Sequence, residues 1–271
     1  MKTICNGKRY ISINMEENKI VFIGAGNLAT NLAKAFYDKH IKISQIYSRT
    51  EDSAKSLAEA VRTDYTTTLE DVINDADIYI VSLKDDALID LMSRIIAGKE
   101  NALMAHTSGS LPLDIWPDSI KRKGVFYPLQ TFSKQRIVDF RNIHTFIESN
   151  NSADYLLLEK LASSVTDEVS ELSSEKRRQI HLAAVFACNF TNHMYALAEK
   201  LLKQYDMPFS YMLPLIEETE KKAHVLSPRE AQTGPAVRYD EKIINKHLEL
   251  LSNEPEMQEI YQLISKSIHK L

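Results

Sequence analysis

Hydrophobic and polar positions along the chain follow two different rhythms. From Lys19 to about Leu172, short β-branched runs recur at Ile20–Ile23, Ile43–Tyr47, Ile78–Leu83, Leu103–His106, Val125–Tyr127, Thr145–Glu148 and Glu168–Leu172. Amphipathic helical stretches such as Leu28–Asp38 and Asp86–Ile96 separate several of them. This alternation predicts an α/β unit, a parallel sheet covered by helices on both faces. The first run is apolar at every position, as a strand covered on both sides requires. After Ser174 the strand signal stops. Ser174 to about Tyr205 reads as one long helix free of Gly and Pro. Phe209–Lys222 reads as a second, kinked at Pro214 because proline removes a ladder donor. Ser227-Pro228-Arg229-Glu230 has the residues of a capped helix start. Gly234-Pro235 breaks the chain, and two more helices follow. The expected organisation is an extension over 1–16, a doubly wound sheet domain over 17–173 and an all-helical domain over 174–271.

Composition narrows the field of functions. A chain of 271 residues is longer than one core usually fills. Its net charge of −4 offers no basic field for nucleic acid or anionic lipid, so neither is expected as a partner. The two cysteines, Cys5 and Cys188, lie too far apart in sequence to make a disulfide framework or a paired-cysteine zinc site. They read as free thiols in a reducing, cytoplasmic setting. No apolar stretch approaches the length of a spanning helix, and the N-terminus lacks the apolar core of a signal peptide.

Gly24-Ala25-Gly26-Asn27-Leu28-Ala29 fits G-x-G-x-x-[GA], directly after the first apolar run and at the start of the first helix. Gly24 permits the tight turn, Gly26 leaves room for a pyrophosphate, and Ala29 lets the helix lie close on the sheet. The helix start, Asn27 and Leu28 with it, supplies free N–H groups and the positive end of the dipole. A Rossmann-type dinucleotide site follows. The end of the second strand then selects the cofactor. An NAD site places Asp or Glu there, whereas this chain has Ser48-Arg49-Thr50. Arg49 offers a fork for a 2′-phosphate and the two hydroxyls can donate to it, so NADP (NADPH) is the expected cofactor.

These residues, with Asp77–Asp85, resemble the N-terminal domain of pyrroline-5-carboxylate reductase and the 6-phosphogluconate-type and β-hydroxyacid dehydrogenases. Further segments add a more specific likeness: His106-Thr107-Ser108-Gly109-Ser110, Tyr127-Pro128-Leu129-Gln130-Thr131-Phe132, His181–Val185 through Asn189, and Thr233-Gly234-Pro235 with Arg238 and Asp240. Together they resemble the Rossmann-like family whose C-terminal part is domain of unknown function 2520. The resemblance implies an NADP-dependent oxidoreductase that dimerises through its helical domain. It also implies that the nicotinamide lies near Ser82-Leu83-Lys84 and the His106–Gly109 loop. The β-hydroxyacid dehydrogenases carry a lysine four residues before the helical asparagine. Here Val185 precedes Asn189, so that chemistry is not carried over.

The candidate catalytic residues are His106, Ser108, His181 and Asn189. His106 ends a strand, where open α/β sheets bind ligands, and an imidazole there can donate a proton near neutral pH. Ser108 can hydrogen-bond a substrate, and Gly109 lets the backbone come close. On an ideal helix His181, Val185, Cys188 and Asn192 share a face, with Asn189 and His193 at its edge. Such a polar stripe suits either a cleft or a dimer interface. A metal site there is not expected, since the spacing is irregular. Arg238 suits an anionic substrate or is a plain turn residue. Two functions remain open: reduction of a small carbonyl or imine compound, its cofactor and substrate meeting at a cleft between the domains, or a non-catalytic NADP-binding sensor or scaffold.

Overall fold

The structure, a computed structural model, describes residues 18–270. Cys5 and the expected extension over 1–16 lie outside the described residues. By packing, the chain divides into two compact units, the first ending at Ala187 and the second starting at Cys188.

The first unit is built on β1 (Ile20–Ile23), β2 (Ile43–Tyr47), β3 (Asp64–Thr66), β4 (Ile78–Val81), β5 (Leu103–His106), β6 (Arg122–Pro128), β7 (Thr145–Ser149) and β8 (Val169–Glu171). They form one sheet in the order β3-β2-β1-β4-β5-β6-β7-β8. The first six follow the Rossmann order, with the reversal between β1 and β4. β7 runs antiparallel to β6, and β8 is parallel to β7. The sheet is therefore mostly rather than wholly parallel. No helix spans the connection from β6 to β7, and an antiparallel neighbour needs no crossover helix.

α1 (Asn27–Asp38), α2 (Glu51–Val61) and α4 (Ser152–Ser163) cover one face, and α3 (Asp85–Ile96) covers part of the other. β1 shows why both faces must be covered. Ile20 and Phe22 enter the core beneath α1, and Val21 and Ile23 enter the core that holds Tyr79 and Trp116. All four are fully buried. Alternate strand residues point to opposite faces, so an all-apolar strand feeds two cores at once.

The register aligns the strand ends that matter for binding. Ile23 pairs with Tyr47 and Val81, Val81 with His106, and His106 with Val125. The turns after β1, β4 and β5 consequently emerge side by side at the carboxyl edge of the sheet.

The long helix expected from Ser174 is present but not uniform. It comprises α5 (Ser174–Ala184), a π-helical turn over Val185–Phe190 and α6 (Thr191–Lys203). A π turn departs from the α-helical period, so the ideal-helix stripe from His181 to Asn192 does not hold. α5 belongs to the sheet unit, past the expected boundary at Ser174.

The second unit holds α6, α7 (Leu213–Val225), α8 (Pro228–Ala231), α9 (Glu241–Leu250) and α10 (Pro255–Lys270). Pro214 does not kink a helix but begins one. It lies in the first turn of α7, where its missing N–H costs nothing. The capping box at Ser227 and Glu230 is formed in both directions. Several large apolar side chains of this unit are exposed, among them Tyr205, Leu215, Leu250 and Leu263. Among the described residues no helix is long and apolar enough to cross a membrane.

Candidate functional site

The phosphate loop is shaped by its two glycines in different ways. Gly24 has φ +118, and a Cβ there would lie 2.2 Å from the carbonyl oxygen of Ser82. The turns after β1 and β4 thus touch through bare backbone. A Cβ on Gly26 would meet no atom within 4 Å. Its absent side chain is therefore not needed by the fold, and the space above it is open to a ligand. Gly26 is the N-cap of α1 and no side chain caps the helix. Thr30 N–H is the first to bond back, to the Gly26 carbonyl at 2.9 Å. The N–H groups of Asn27, Leu28 and Ala29 precede the ladder and face the loop end of the helix. A buried anchor holds this turn: Asn31 is fully buried and donates to the Asn27 carbonyl at 2.9 Å.

At the end of β2, Ser48 is buried, while Arg49 and Thr50 are exposed. Arg49 makes no ion pair among the described residues. Thr50 is the N-cap residue of α2, yet its hydroxyl makes no capping bond. The first carboxylate after it, Glu51, accepts a hydrogen bond from the Tyr65 hydroxyl at 3.2 Å. These groups fit a 2′-phosphate: a cation, two hydroxyls and a carboxylate engaged elsewhere. Leu83 is half-buried against the core, and Lys84 is exposed at the N-cap of α3. Ala25 is buried beneath the loop.

His106 is not placed as a proton donor. It is fully buried. Its Nδ1 accepts the Ser108 N–H at 3.2 Å, and its Nε2 faces the Pro112 carbonyl at 3.2 Å. Burial, and next the nearby Arg177 guanidinium, push its pKa down to about 4. At neutral pH it is a neutral imidazole bracing the loop from Thr107 to Pro112. Position at a strand end suggested an accessible ring, but both nitrogens are engaged. The Ser108 hydroxyl is occupied too, accepting the N–H groups of Ser110 at 3.1 Å and Leu111 at 3.0 Å.

The group that is available is His181, on α5 and half-buried. Its Nδ1 lies 2.9 Å from the Tyr127 hydroxyl, at the carboxyl end of β6. Its Nε2 makes no hydrogen bond among the described residues. Gly109 makes the approach feasible, since a Cβ there would lie 2.5 Å from His181 Nδ1. Burial raises the Tyr127 pKa and keeps it a neutral phenol. The sequence does not single out Tyr127, because it sits in an apolar strand and looks like core.

One buried ion pair fixes α5 against this loop. Arg177 is fully buried, with Nη1 2.5 Å from Glu148 Oε2. Its Nη2 donates to the Leu111 carbonyl and to Ser174 Oγ. Ser174 in turn donates its N–H and hydroxyl to Glu148, at 2.9 and 2.7 Å, and accepts the Leu113 N–H at 2.8 Å. Two residues at the start of α5, Arg177 and Ser174, thereby converge on one carboxylate and also hold the chain at Leu111 and Leu113. Asn189, the remaining candidate, is exposed on the π turn and belongs to the second unit, as does the exposed Arg238.

Comparisons with known proteins agree with this division of labour. Residues 19–104 match the family described as NADP oxidoreductase, coenzyme F420-dependent. Residues 143–268 match domain of unknown function 2520, so its match starts just before β7, where the sheet reverses. A candidate NADP oxidoreductase from Bacteroides fragilis is 55% identical, with a TM-score of 0.93 over 95% of this chain and 100% of that one. An imine reductase from Myxococcus stipitatus in complex with NADP+ shares the fold at 16% identity, with a TM-score of 0.64 over 93% of this chain and 92% of that one. Among curated relatives, glutamyl-tRNA reductase of Methanococcus maripaludis is 24% identical over 202 residues, covering 71% of this chain. The chain spans about half the length of that relative, 47% of it. On the Bacteroides fragilis relative and the two matched segments, the chain belongs to the family of NADP oxidoreductases that carry domain of unknown function 2520 in their C-terminal part.

Proposed function

We propose that the protein uses NADPH to reduce a small carbonyl or imine compound, with His181 as the proton donor. The observation that carries this reading is the 2.9 Å contact between Tyr127 and His181 beside the Gly109 backbone. When bound, NADPH supplies a hydride to the acceptor carbon. The residues supply what the reaction then needs, a proton on the acceptor oxygen or nitrogen. In its protonated form His181 donates through Nδ1–H to the phenolic oxygen, which Tyr127 can offer because burial keeps it neutral. That bond orients the ring and leaves Nε2–H as the acid. After giving up this proton, His181 is a neutral imidazole that retains Nδ1–H on Tyr127. Neither residue has to form an anion. Gly24–Leu28 would hold the pyrophosphate and Ser48–Thr50 the 2′-phosphate, with Ser82–Lys84 beside the nicotinamide half. The activity of the imine reductase neighbour supports the choice of acceptor.

The test is NADPH oxidation against a panel of imines, oxo acids and aldehydes, followed by variants. His181→Gln should lower kcat about a hundredfold or more, at unchanged NADPH affinity. Tyr127→Phe should lower kcat less, since it removes orientation and leaves the acid. Turnover unaffected by either change would end the proton-donor role. Tight NADPH binding with no acceptor reduced would favour the sensor or scaffold reading.

A further inference from the structure

The connection between β6 and β7 passes over the start of α1, and buried Asn31 holds it there. Asn31 Nδ2 donates to the Ser133 carbonyl at 3.0 Å, and its Oδ1 accepts the Val138 N–H at 3.0 Å. Phe132 and Phe140 stack with ring centroids 5.6 Å apart, closing the segment on itself. Between these anchors stands Lys134. Its Nζ donates to Ser53 Oγ at 3.2 Å.

That contact closes a small cavity of about 90 Å³ between α1 and α2, lined by Thr30, Lys34, Ser53, Ser56, Leu57 and Lys134. The lining has two ammonium groups, three hydroxyls and no carboxylate. Neither lysine forms an ion pair among the described residues. Two like charges facing one cavity repel each other unless an anion lies between them. Position says which anion. Thr30 lies one turn inside α1, whose N-terminus takes the pyrophosphate. Ser53 lies one turn inside α2 and shares a helix face with Thr50, since residues three apart are neighbours. The cavity thus lies against the beginnings of both helices, three residues along α2 from Thr50 at the end of β2.

We propose that Lys134, delivered by the β6–β7 connection and supported by Lys34 and Ser53, is a second cation reading the 2′-phosphate of NADP. The inference rests on the NADP reading above and adds a residue that no phosphate-loop pattern contains. Arg49 follows the strand end in sequence, and Lys134 is held against the beginning of α2 by its bond to Ser53. Choice of NADP over NAD then depends on a segment far from the Rossmann fingerprint in sequence.

Equilibrium binding of NADPH and NADH, followed by ligand fluorescence, tests this without any acceptor substrate. Lys134→Met should raise the Kd for NADPH about tenfold, as loss of one charge-assisted bond implies, and leave that for NADH unchanged. Lys134→Arg should keep most of the preference. Equal weakening of both dinucleotides would mean that the residue only shapes the segment, and no change in either would mean that it does not reach the phosphate. Either result overturns the proposal while wild-type preference for NADPH upholds the cofactor reading. A wild-type protein that binds neither dinucleotide, or prefers NADH, defeats the cofactor reading and this inference with it. As a check on folding, both variants should retain the wild-type thermal midpoint, since Lys134 is exposed.

Discussion

Lowering the pH from about 7.5 to about 5 should cost the sheet unit roughly 2 kcal/mol through His106 alone. The imidazole is fully buried, and its Nδ1 accepts a backbone N–H, so a proton there both charges the interior and breaks a bond. Its pKa is pushed from 6.5 to about 4, by burial first and then by Arg177. In the unfolded chain the same group takes up a proton below about 6.5. Between these values the unfolded state binds more protons, so stability falls as the pH falls. The contribution is fully present above the unfolded pKa and is lost as pH drops through the folded one. Across the whole gap it amounts to roughly 3 kcal/mol, and about 2 are lost by pH 5. The chain carries its own probe. Trp116, the single tryptophan, is buried with its ring 6.0 Å from that of His106. Urea unfolding followed by its emission should show the midpoint falling by about 1 M between the two pH values. Other groups also titrate in this range, so the comparison that decides is with His106→Asn. Asparagine can still accept the Ser108 N–H through its side-chain oxygen, but it cannot be protonated. The variant starts less stable at neutral pH and should lose about 2 kcal/mol less on acidification. Parallel pH profiles for the two proteins would refute the assignment of His106 as a buried neutral brace and restore it as a candidate acid.

Two further substitutions separate folding from binding. Gly24→Ala forces a Cβ to 2.2 Å from the Ser82 carbonyl in a left-handed conformation, and should cost about 3 kcal/mol or more in urea unfolding. Gly26→Ala meets nothing within 4 Å, so it should unfold like the wild type yet bind NADPH and NADH much more weakly; unchanged affinity would remove the pyrophosphate from that loop. Arg177→Met should destabilise the sheet unit by about 3–5 kcal/mol, because it strands Glu148 in a half-buried site. Adding Glu148→Gln should recover part of the loss, and strictly additive losses would show that the pair is not coupled.

How much of this was legible depends on whether the information lies in neighbouring residues or in distant ones. The phosphate loop works through consecutive main-chain groups after an all-apolar strand, so Gly24–Leu28 could be read directly. The doubly covered strands were equally plain, because two buried faces leave no room for polar positions. β3 was missed since Asp64–Thr66 is a three-residue edge strand with exposed polar positions, and nothing in its pattern marks pairing. Strand direction is not written in hydropathy either, so the reversal at β7 is absent from the sequence reading, which expects a parallel sheet. The π turn at Val185–Phe190 is a slip in backbone bonding that side-chain periodicity does not record, and it undid the face drawn from His181 to Asn192. His106 reads as an acid in the sequence and as a buried brace in the structure for a related reason. Its position at a strand end was visible, but the Pro112 carbonyl and Ser108 N–H that occupy its nitrogens come from a loop whose path is set by Arg177 and Glu148. His181 was named without its partner, because Tyr127 lies 54 residues away inside an apolar run. A chemical group can be proposed from its residue type and local context. Whether it is free to act depends on which distant groups claim its donors and acceptors, and in this fold the deciding claims all arise where α5 and the β5–β6 connection meet the carboxyl edge of the sheet.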